Sequence, residues 1–201
     1  MSSLLVKAAK GKVIASVTPK SAGWTHVGFS AYRLQSGESV FFEHPNREAC
    51  AVILAGKARV ETSGIDANLG SRISVFDDCA PDAVYAPNAC RITVTAINDC
   101  EIAIADAPAF GNHKARVIPA ASMRRSVRGH GTNQRFVTDI LPSTEAADSL
   151  LVVEVLTPSA HSSSYPPHKH DVDNLPHESS LEETYYHRLN PAQGYVLQRV
   201  Y

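Results

Sequence analysis

Short segments in which apolar and polar residues alternate fill the first half of the chain, with glycine, proline and asparagine between them. Because a strand places successive side chains on opposite faces, this period of two predicts β-structure. The predicted strands cover residues 23–34, 39–43, 49–54, 58–62, 72–76, 83–86, 91–96 and 101–105. Their near-regular spacing, with no long helical period before residue 110, indicates an all-β sandwich or barrel.

A second β unit is predicted after a boundary near residue 110, so the domains are assigned to residues 1–110 and 111–201. It begins with a connector that includes a short helical turn at 119–123, and its predicted strands cover 126–139, 150–156 and 194–201. These are too few to close a barrel, and an unclosed barrel exposes its edges. We therefore expect a shortened version of a longer protein, or a unit that another chain completes; truncation is the favoured reading.

Composition narrows the possible partners. The chain has a formal net charge of −1, 44% hydrophobic residues and 19% charged residues, which gives no reason to expect nucleic acid or a membrane surface as partner. It has no apolar segment of about 18 residues and no signal-peptide pattern near Met1, so a cytoplasmic protein is expected. The four cysteines have no CxxC spacing and are interpreted as small buried residues.

The candidate chemistry is concentrated in a histidine-rich segment at residues 164–188. His168 and His170 are two positions apart, and on a strand both imidazoles would point to the same face. The Pro166-Pro167 pair before them disfavours a helix. Two neutral imidazoles joined by a carboxylate suit a divalent first-row metal, and zinc, manganese, iron or cobalt would all fit.

A following segment is predicted to be a strand that carries further polar groups. Its alternation places Glu183, Tyr185 and His187 on one face, whereas Glu182, Thr184 and Tyr186 face the other way.

Several motifs resemble one family. Residues 147–158, 163–171 and 181–191, together with the shorter matches Gly23-Trp24 and Tyr85-Ala86-Pro87, are similar to the 5-deoxy-glucuronate isomerase family of bacterial myo-inositol breakdown. That family is a two-domain form of the cupin superfamily and is related to the 5-keto-4-deoxyuronate isomerases. The resemblance covers nearly the whole chain, and the segment from Ser163 to Pro191 is the most specific part of it.

The resemblance implies two tandem cupin barrels, the second incomplete, and an aldose–ketose isomerisation of a sugar acid, 5-deoxy-D-glucuronate, to 5-dehydro-2-deoxy-D-gluconate. It also implies His168, His170 and Glu183 as metal ligands, with a fourth histidine on a strand beyond Tyr201. Most cupins place the glutamate closer to the second histidine, which would favour a residue near Asp173 or Glu178. Strand parity and the family pattern both select Glu183 instead, and Glu182 is interpreted as a capping or solvated residue.

The remaining site residues are less determined. His187 and Tyr185 share the face of Glu183 and are candidates for the proton-transfer base, although a buried tyrosine with a bonded hydroxyl fits Tyr185 equally well. A substrate carboxylate calls for an arginine, because a guanidinium binds a carboxylate through two hydrogen bonds. The candidates are Arg135, Arg188 and Arg199, each of which could also be a surface residue.

The first unit has no His-x-His motif. His26, His44 and Glu48 are scattered along it, so we expect a packing and oligomerisation unit without metal, in a chain that forms homo-oligomers. Two other functions remain open: a sugar-binding cupin without catalysis, and an Fe(II)-dependent dioxygenase, because the same ligands suit iron.

Overall fold

The computed structural model describes residues 4–111, 113–165 and 168–199, and it confirms an almost entirely β chain. One short helix, α1, covers Pro19–Ala22, and 3₁₀ turns cover Ala120–Ser122 and Gly131–Asn133. The strands are β1 Val13–Val17, β2 Gly28–Leu34, β3 Ser39–Phe42, β4 Arg47–Ala55, β5 Ala58–Thr62, β6 Ile65–Leu69, β7 Asp82–Ala86, β8 Ile92–Ala96, β9 Cys100–Pro108, β10 Arg116–Ile118, β11 Arg124–Arg128, β12 Arg135–Leu141 and β13 Val152–Leu156.

Two antiparallel sheets form the first unit. The larger sheet has the order β1-β2-β9-β4-β7-β10, and the smaller has the order β3-β8-β5-β6. Their inner faces enclose one apolar core, to which both sheets contribute buried side chains such as Leu34, Ile53, Val60, Val94 and Ile102. The predicted barrel is therefore present, and β10 adds a strand from beyond residue 110. The domain division at residue 110 stays a prediction.

Strand β4 explains how the larger sheet supports a second core. Its alternate residues Ala49, Ala51 and Ile53 face the first core, whereas Cys50, Val52 and Leu54 face the opposite side. Strands covered on both faces read as continuous apolar segments, as this one does. The second core also contains Ile140, Leu141 and Leu150 from the second unit, so the larger sheet joins the two units.

The second unit contains a smaller sheet with the order β11-β12-β13. The predicted single strand at 126–139 is wrong, because the chain turns between β11 and β12 and the two strands pair as a hairpin. Gly129, with φ +74°, and the 3₁₀ turn Gly131–Asn133 reverse the chain. A left-handed backbone conformation of this kind favours glycine. The predicted turn at 119–123 is confirmed by the 3₁₀ turn Ala120–Ser122.

The predicted strand at 72–76 is wrong. Arg72 is buried there, its Nε donates to Leu54 O at 2.7 Å, and its two terminal nitrogens donate to the Glu154 carboxylate at 2.8 and 2.6 Å. Asp77 accepts from the backbone N–H groups of Ile73 and Ser74, which folds the segment into a turn. These side-chain contacts replace the strand hydrogen bonds that the apolar pattern predicted.

Three other predicted strands have no ladder partner among the described residues: 168–170, 183–187 and 194–199. The prediction of regular strands there is wrong, although the side chains of 181–187 do alternate between half-buried and exposed. The rest of the predicted strand at 194–201, and the Pro166-Pro167 pair, lie outside the described residues. Within the described parts of the chain, no helix is long and apolar enough to cross a membrane.

Glu48 is the main polar connection between the two units. It is fully buried on β4, where its Oε2 accepts from Tyr85 Oη at 2.6 Å and from the Asp148 N–H at 2.8 Å. Its Oε1 accepts from the N–H groups of Ser149 and Leu150 at 2.6 and 2.7 Å. Since a buried carboxylate is costly unless its oxygens are bonded, these four donors explain how the group is tolerated. They also fix the segment that leads into β13.

We expect Glu48→Gln to lower the free energy of unfolding by about 2 kcal/mol. An amide NH₂ would replace one carboxylate oxygen, and because NH₂ is itself a donor it could not accept from the N–H or O–H groups at that position. Tyr85→Phe, which removes one of the four donors, should cost about 1 kcal/mol. The free energies of unfolding in urea measure both effects. Equal stabilities for Glu48→Gln and the unmodified chain would show that the carboxylate does not join the units.

Candidate metal centre

His168, His170 and Glu183 lie together. Each residue offers one ligand atom, an imidazole nitrogen or a carboxylate oxygen, and these three atoms all lie within 4.8 Å of one another. Glu183 Oε1 is 3.9 Å from His168 Nε2 and 3.8 Å from His170 Nε2. The two imidazole rings meet edge to face, with their centroids 5.1 Å apart. The structure thus brings together the three predicted ligands, and a modest inward movement would place them around one ion.

The other nitrogen of His170 has a fixed partner. Nδ1 lies 3.1 Å from the carbonyl oxygen of Ser179, which can only accept a hydrogen bond, so Nδ1 carries the proton. Nε2, the other ring nitrogen, is directed towards Glu183 and is the atom that a neutral imidazole would offer to a metal. Histidine ligands of metals are commonly oriented by such a bond from the second ring nitrogen. The donor set and its orientation therefore fit a divalent transition metal.

Glu183 is oriented by Tyr185, whose hydroxyl donates to Oε2 at 3.0 Å and leaves Oε1 for the histidines. Burial, and then the charge and hydrogen bond of Glu183, raise the pKa of Tyr185 to about 12. The His187 ring stacks nearly parallel to Tyr185, with an interplanar angle of 8° and centroids 6.1 Å apart. The predicted shared face of Glu183, Tyr185 and His187 is therefore present, even without a regular strand.

The opposite face of this segment contacts the first barrel. Glu182 accepts from the backbone N–H groups of Thr25, His26 and Val27 at 2.8, 2.8 and 2.9 Å, and from the Thr25 hydroxyl at 3.0 Å. Burial alone would raise the pKa of Glu182, but these donors lower it to about 2. The expected capping role fits this contact, because Glu182 caps a loop of the first unit.

A second contact with the first barrel lies four to six residues after Glu182. Tyr186 packs against Phe29, with ring centroids 5.5 Å apart, and its hydroxyl donates to Glu101 Oε1 at 2.9 Å. Arg188 also donates to Glu101 Oε1. Glu182, Tyr186 and Arg188 therefore attach the segment to the loop before β2 and to strands β2 and β9, with Glu183 and Tyr185 on its exposed side.

The remaining predicted residues lie at several places. His187 Nε2 is 3.3 Å from Gln198 Oε1. The Arg135 guanidinium donates to the backbone and side-chain oxygens of Asn133 at 3.1 and 2.7 Å. Arg188 contacts Glu101, as described. The roles of these three residues and of Arg199 stay predictions.

Local spacing did not reveal the residues of the first unit that hold the segment carrying Glu183, namely Thr25, His26, Val27, Phe29 and Glu101. Their partners lie 85 or more positions away, so local spacing gives no signal for them. The one usable signal was the alternation at 182, 184 and 186, which predicted that this face is turned away from the histidines.

A β-barrel, joined to a smaller sheet and followed by a segment that brings His-x-His and a glutamate together, defines an all-β protein with a candidate metal centre. The chain belongs to the KduI/IolB family, whose model matches residues 4–201.

Individual proteins similar to this chain support the family assignment. The chain is 48% identical to the 5-deoxy-glucuronate isomerase of Geobacillus thermodenitrificans (strain NG80-2) over 193 residues, which are 96% of this chain and 70% of that protein. It is 41% identical to the 5-deoxy-glucuronate isomerase of Halalkalibacterium halodurans, over all of this chain and 77% of that protein. The crystal structure of an IolB-like protein from Salmonella typhimurium LT2 matches with a TM-score of 0.89 and 42% identity, covering 92% of this chain and 71% of that one.

We expect Glu182→Ala to lower the free energy of unfolding by about 2 kcal/mol, because three backbone donors and one hydroxyl lose their acceptor. Glu183→Ala is the matched control: the neighbouring glutamate faces outwards, and its loss should change stability by less than about 0.5 kcal/mol. Urea titration of metal-free protein measures both. If the two variants lose the same stability, Glu182 does not attach this segment to the first barrel.

Proposed function

We propose that the chain is a metal-dependent aldose–ketose isomerase that converts 5-deoxy-D-glucuronate to 5-dehydro-2-deoxy-D-gluconate, in cytoplasmic inositol catabolism. The cluster of His168, His170 and Glu183 is the observation that carries the proposal. Relatives that share 41–48% identity and are named 5-deoxy-glucuronate isomerase support the reaction.

His168, His170 and Glu183 would hold the ion, and the chemistry that it supplies is Lewis acidity towards neighbouring carbonyl and hydroxyl oxygens of a sugar. Two imidazoles and one carboxylate leave coordination positions open, as catalytic sites do. The ligand types accept zinc, manganese, iron or cobalt, so the identity of the metal follows from availability.

The isomerisation moves a proton between adjacent carbons, and we assign this transfer to His187. The Tyr185 hydroxyl is already engaged as a donor to Glu183, which suits a positioning role. His187 is exposed beside it, and its Nε2 lies 3.3 Å from Gln198 Oε1. A histidine is the commonest general base near neutral pH.

The carboxylate of the substrate requires a cation, and we keep Arg199 and Arg135 as the candidates for it. Arg188 is less suited, because its guanidinium contacts Glu101 on the side that faces the first barrel. A bidentate guanidinium–carboxylate contact would orient the sugar acid as well as bind it.

We also propose that the chain self-associates. Several apolar side chains of the edge strand β13 and of the segment 195–197 are exposed, namely Val153, Val155, Leu156, Tyr195 and Leu197. Exposed apolar side chains on an edge strand are typical of protein–protein contacts. Light scattering coupled to gel filtration measures the mass; a monomer at all concentrations would contradict this proposal.

Metal analysis tests the central proposal. The purified chain should bind about one divalent ion, and His168→Ala or His170→Ala should weaken binding at least tenfold, since each removes a ligand. Lys169 lies between the two histidines, and its ammonium contacts Glu178, 2.8 Å away, instead of the cluster. The variant Lys169→Ala therefore serves as the control. Equal metal contents in all four proteins would overturn the assignment of the site.

Turnover separates the possible functions. The metal-loaded chain, incubated with 5-deoxy-D-glucuronate, should form the ketose, which NMR detects. Binding without a product would indicate a sugar-binding protein, and oxygen consumption would indicate a dioxygenase.

Paired variants distinguish the roles of Tyr185 and His187. Tyr185→Phe should weaken metal binding several-fold, because Glu183 loses the donor that orients it. His187→Gln should leave metal affinity unchanged and lower kcat by about 10²-fold or more, since a general base is lost. Titration with metal and steady-state kinetics give the two readouts. If Tyr185→Phe lowered kcat and His187→Gln weakened metal binding, Tyr185 would be the base and His187 the residue that positions Glu183.

A further inference from the structure

The first barrel, which has no metal motif, contains a cavity of about 600 Å³. It is lined by alternate residues of β2 that face the barrel interior, Gly28, Ser30 and Tyr32, and by Ile104 and Asp106 on β9. The next residues in the same alternation, Leu34 on β2 and Ile102 on β9, belong to the apolar core. The barrel is therefore packed at one end and open at the other. Small-molecule sites have volumes of about 300–1,000 Å³, which includes this cavity.

An ion pair forms part of the cavity wall. Arg47 on β4 donates through Nε to Asp106 on the neighbouring strand, and through Nη2 to the carbonyl oxygens of His26 and Asp106. Their side chains are only 12% and 13% exposed. Gly28, opposite Asp106 in the ladder, leaves room for the carboxylate, because a Cβ at that position would overlap Asp106 Oδ2.

This pair is not explained by packing. Arg47 and Asp106 occupy inward-facing positions where β4 and β9 otherwise place apolar residues such as Ala49 and Ile104. Burying two charges costs free energy that their attraction does not reliably return, and apolar residues would fill the space at least as well. Burial raises the pKa of Asp106 against the opposing effect of Arg47. A few charged or polar groups placed in an otherwise apolar open cavity, despite the free energy that burying them costs, are typical of a ligand-binding site.

The other lining groups indicate the chemistry of the ligand. Lys20, His44 and Asn46 also line the cavity, and Tyr32 and Phe42 contribute aromatic surface. Lys20 and Arg47 outnumber the one carboxylate, Asp106, so the lining favours a single negative charge on the ligand. Asp106, Tyr32 and Ser30 offer hydrogen bonds to hydroxyl groups.

We propose that the first barrel holds a second, metal-independent binding site for a small polyhydroxylated carboxylate, the size of a six-carbon sugar acid. The carboxylate of the ligand lies near Lys20, its hydroxyl groups face Asp106 and Tyr32, and its carbon skeleton packs on Phe42. The inference does not depend on the proposed isomerase activity, since none of these residues belongs to the candidate metal centre.

Titration calorimetry with D-glucuronate tests this site. The double variant His168→Ala/His170→Ala, kept in a chelator, removes binding through the metal centre, so any remaining saturable binding with a stoichiometry near one belongs elsewhere. D-glucose, which lacks the carboxylate, should bind at least tenfold more weakly. Within this double variant, Lys20→Ala should weaken D-glucuronate binding about tenfold, as expected for a lost hydrogen bond to a charged group.

Two further variants fix the location. Ser30→Leu, which fills the cavity, should abolish binding, whereas Lys57→Ala, an exposed lysine outside the lining, should have no effect. Circular dichroism shows whether each variant is folded. If Ser30→Leu does not fold, the titration of Lys20→Ala tests the location of the site instead. The proposal is overturned if the double variant shows no saturable binding at millimolar D-glucuronate, or if Lys20→Ala and Lys57→Ala bind it equally.

Discussion

The arrangement of the candidate centre depends on how Glu182 is bound. Its carboxylate is the acceptor for three successive backbone N–H groups, from Thr25 to Val27. A carboxylate that accepts several backbone bonds is strongly stabilised in its charged form. Because neighbouring side chains in extended backbone point in opposite directions, fixing Glu182 inwards turns Glu183 outwards, towards His168 and His170. The position of the predicted metal ligand therefore follows from a contact that its neighbour makes.

The first barrel consequently also supports the part of the chain that carries the candidate metal ligands. Its larger sheet has an apolar core on each face, and its outer face receives the second unit through Leu141 and Leu150. Three carboxylates reinforce that interface with polar contacts: Glu48 binds the segment before β13, Glu101 binds Tyr186 and Arg188, and Glu154 pairs with the buried Arg72. Because Glu48 and Arg72 are buried and would be costly if left unpaired, these contacts favour one arrangement of the smaller sheet against the barrel.

The sequence was sufficient for features with a short repeat. Alternation predicted the all-β class, most strands of the first barrel and the opposite orientations of Glu182 and Glu183. It failed where distant side chains decide the local backbone. Residues 72–76 read as a strand, but Arg72 is drawn to Leu54 and Glu154, 18 and 82 positions away. Glu48 looked like a scattered residue because its backbone donors lie 100–102 positions further along. Spacing within one segment contains no information about such partners.

One short loop connects the two candidate sites. The N–H groups of residues 25–27 bind Glu182, and the carbonyl oxygen of His26 accepts from Arg47 in the cavity wall. Arg47 is bound to Asp106 in turn, so the cavity and the metal centre are separated by only a few consecutive hydrogen bonds. A ligand that draws Arg47 or Asp106 towards it acts on the backbone that fixes Glu182. Linkage then requires that any effect of the cavity ligand on metal affinity equals the effect of the metal on affinity for that ligand.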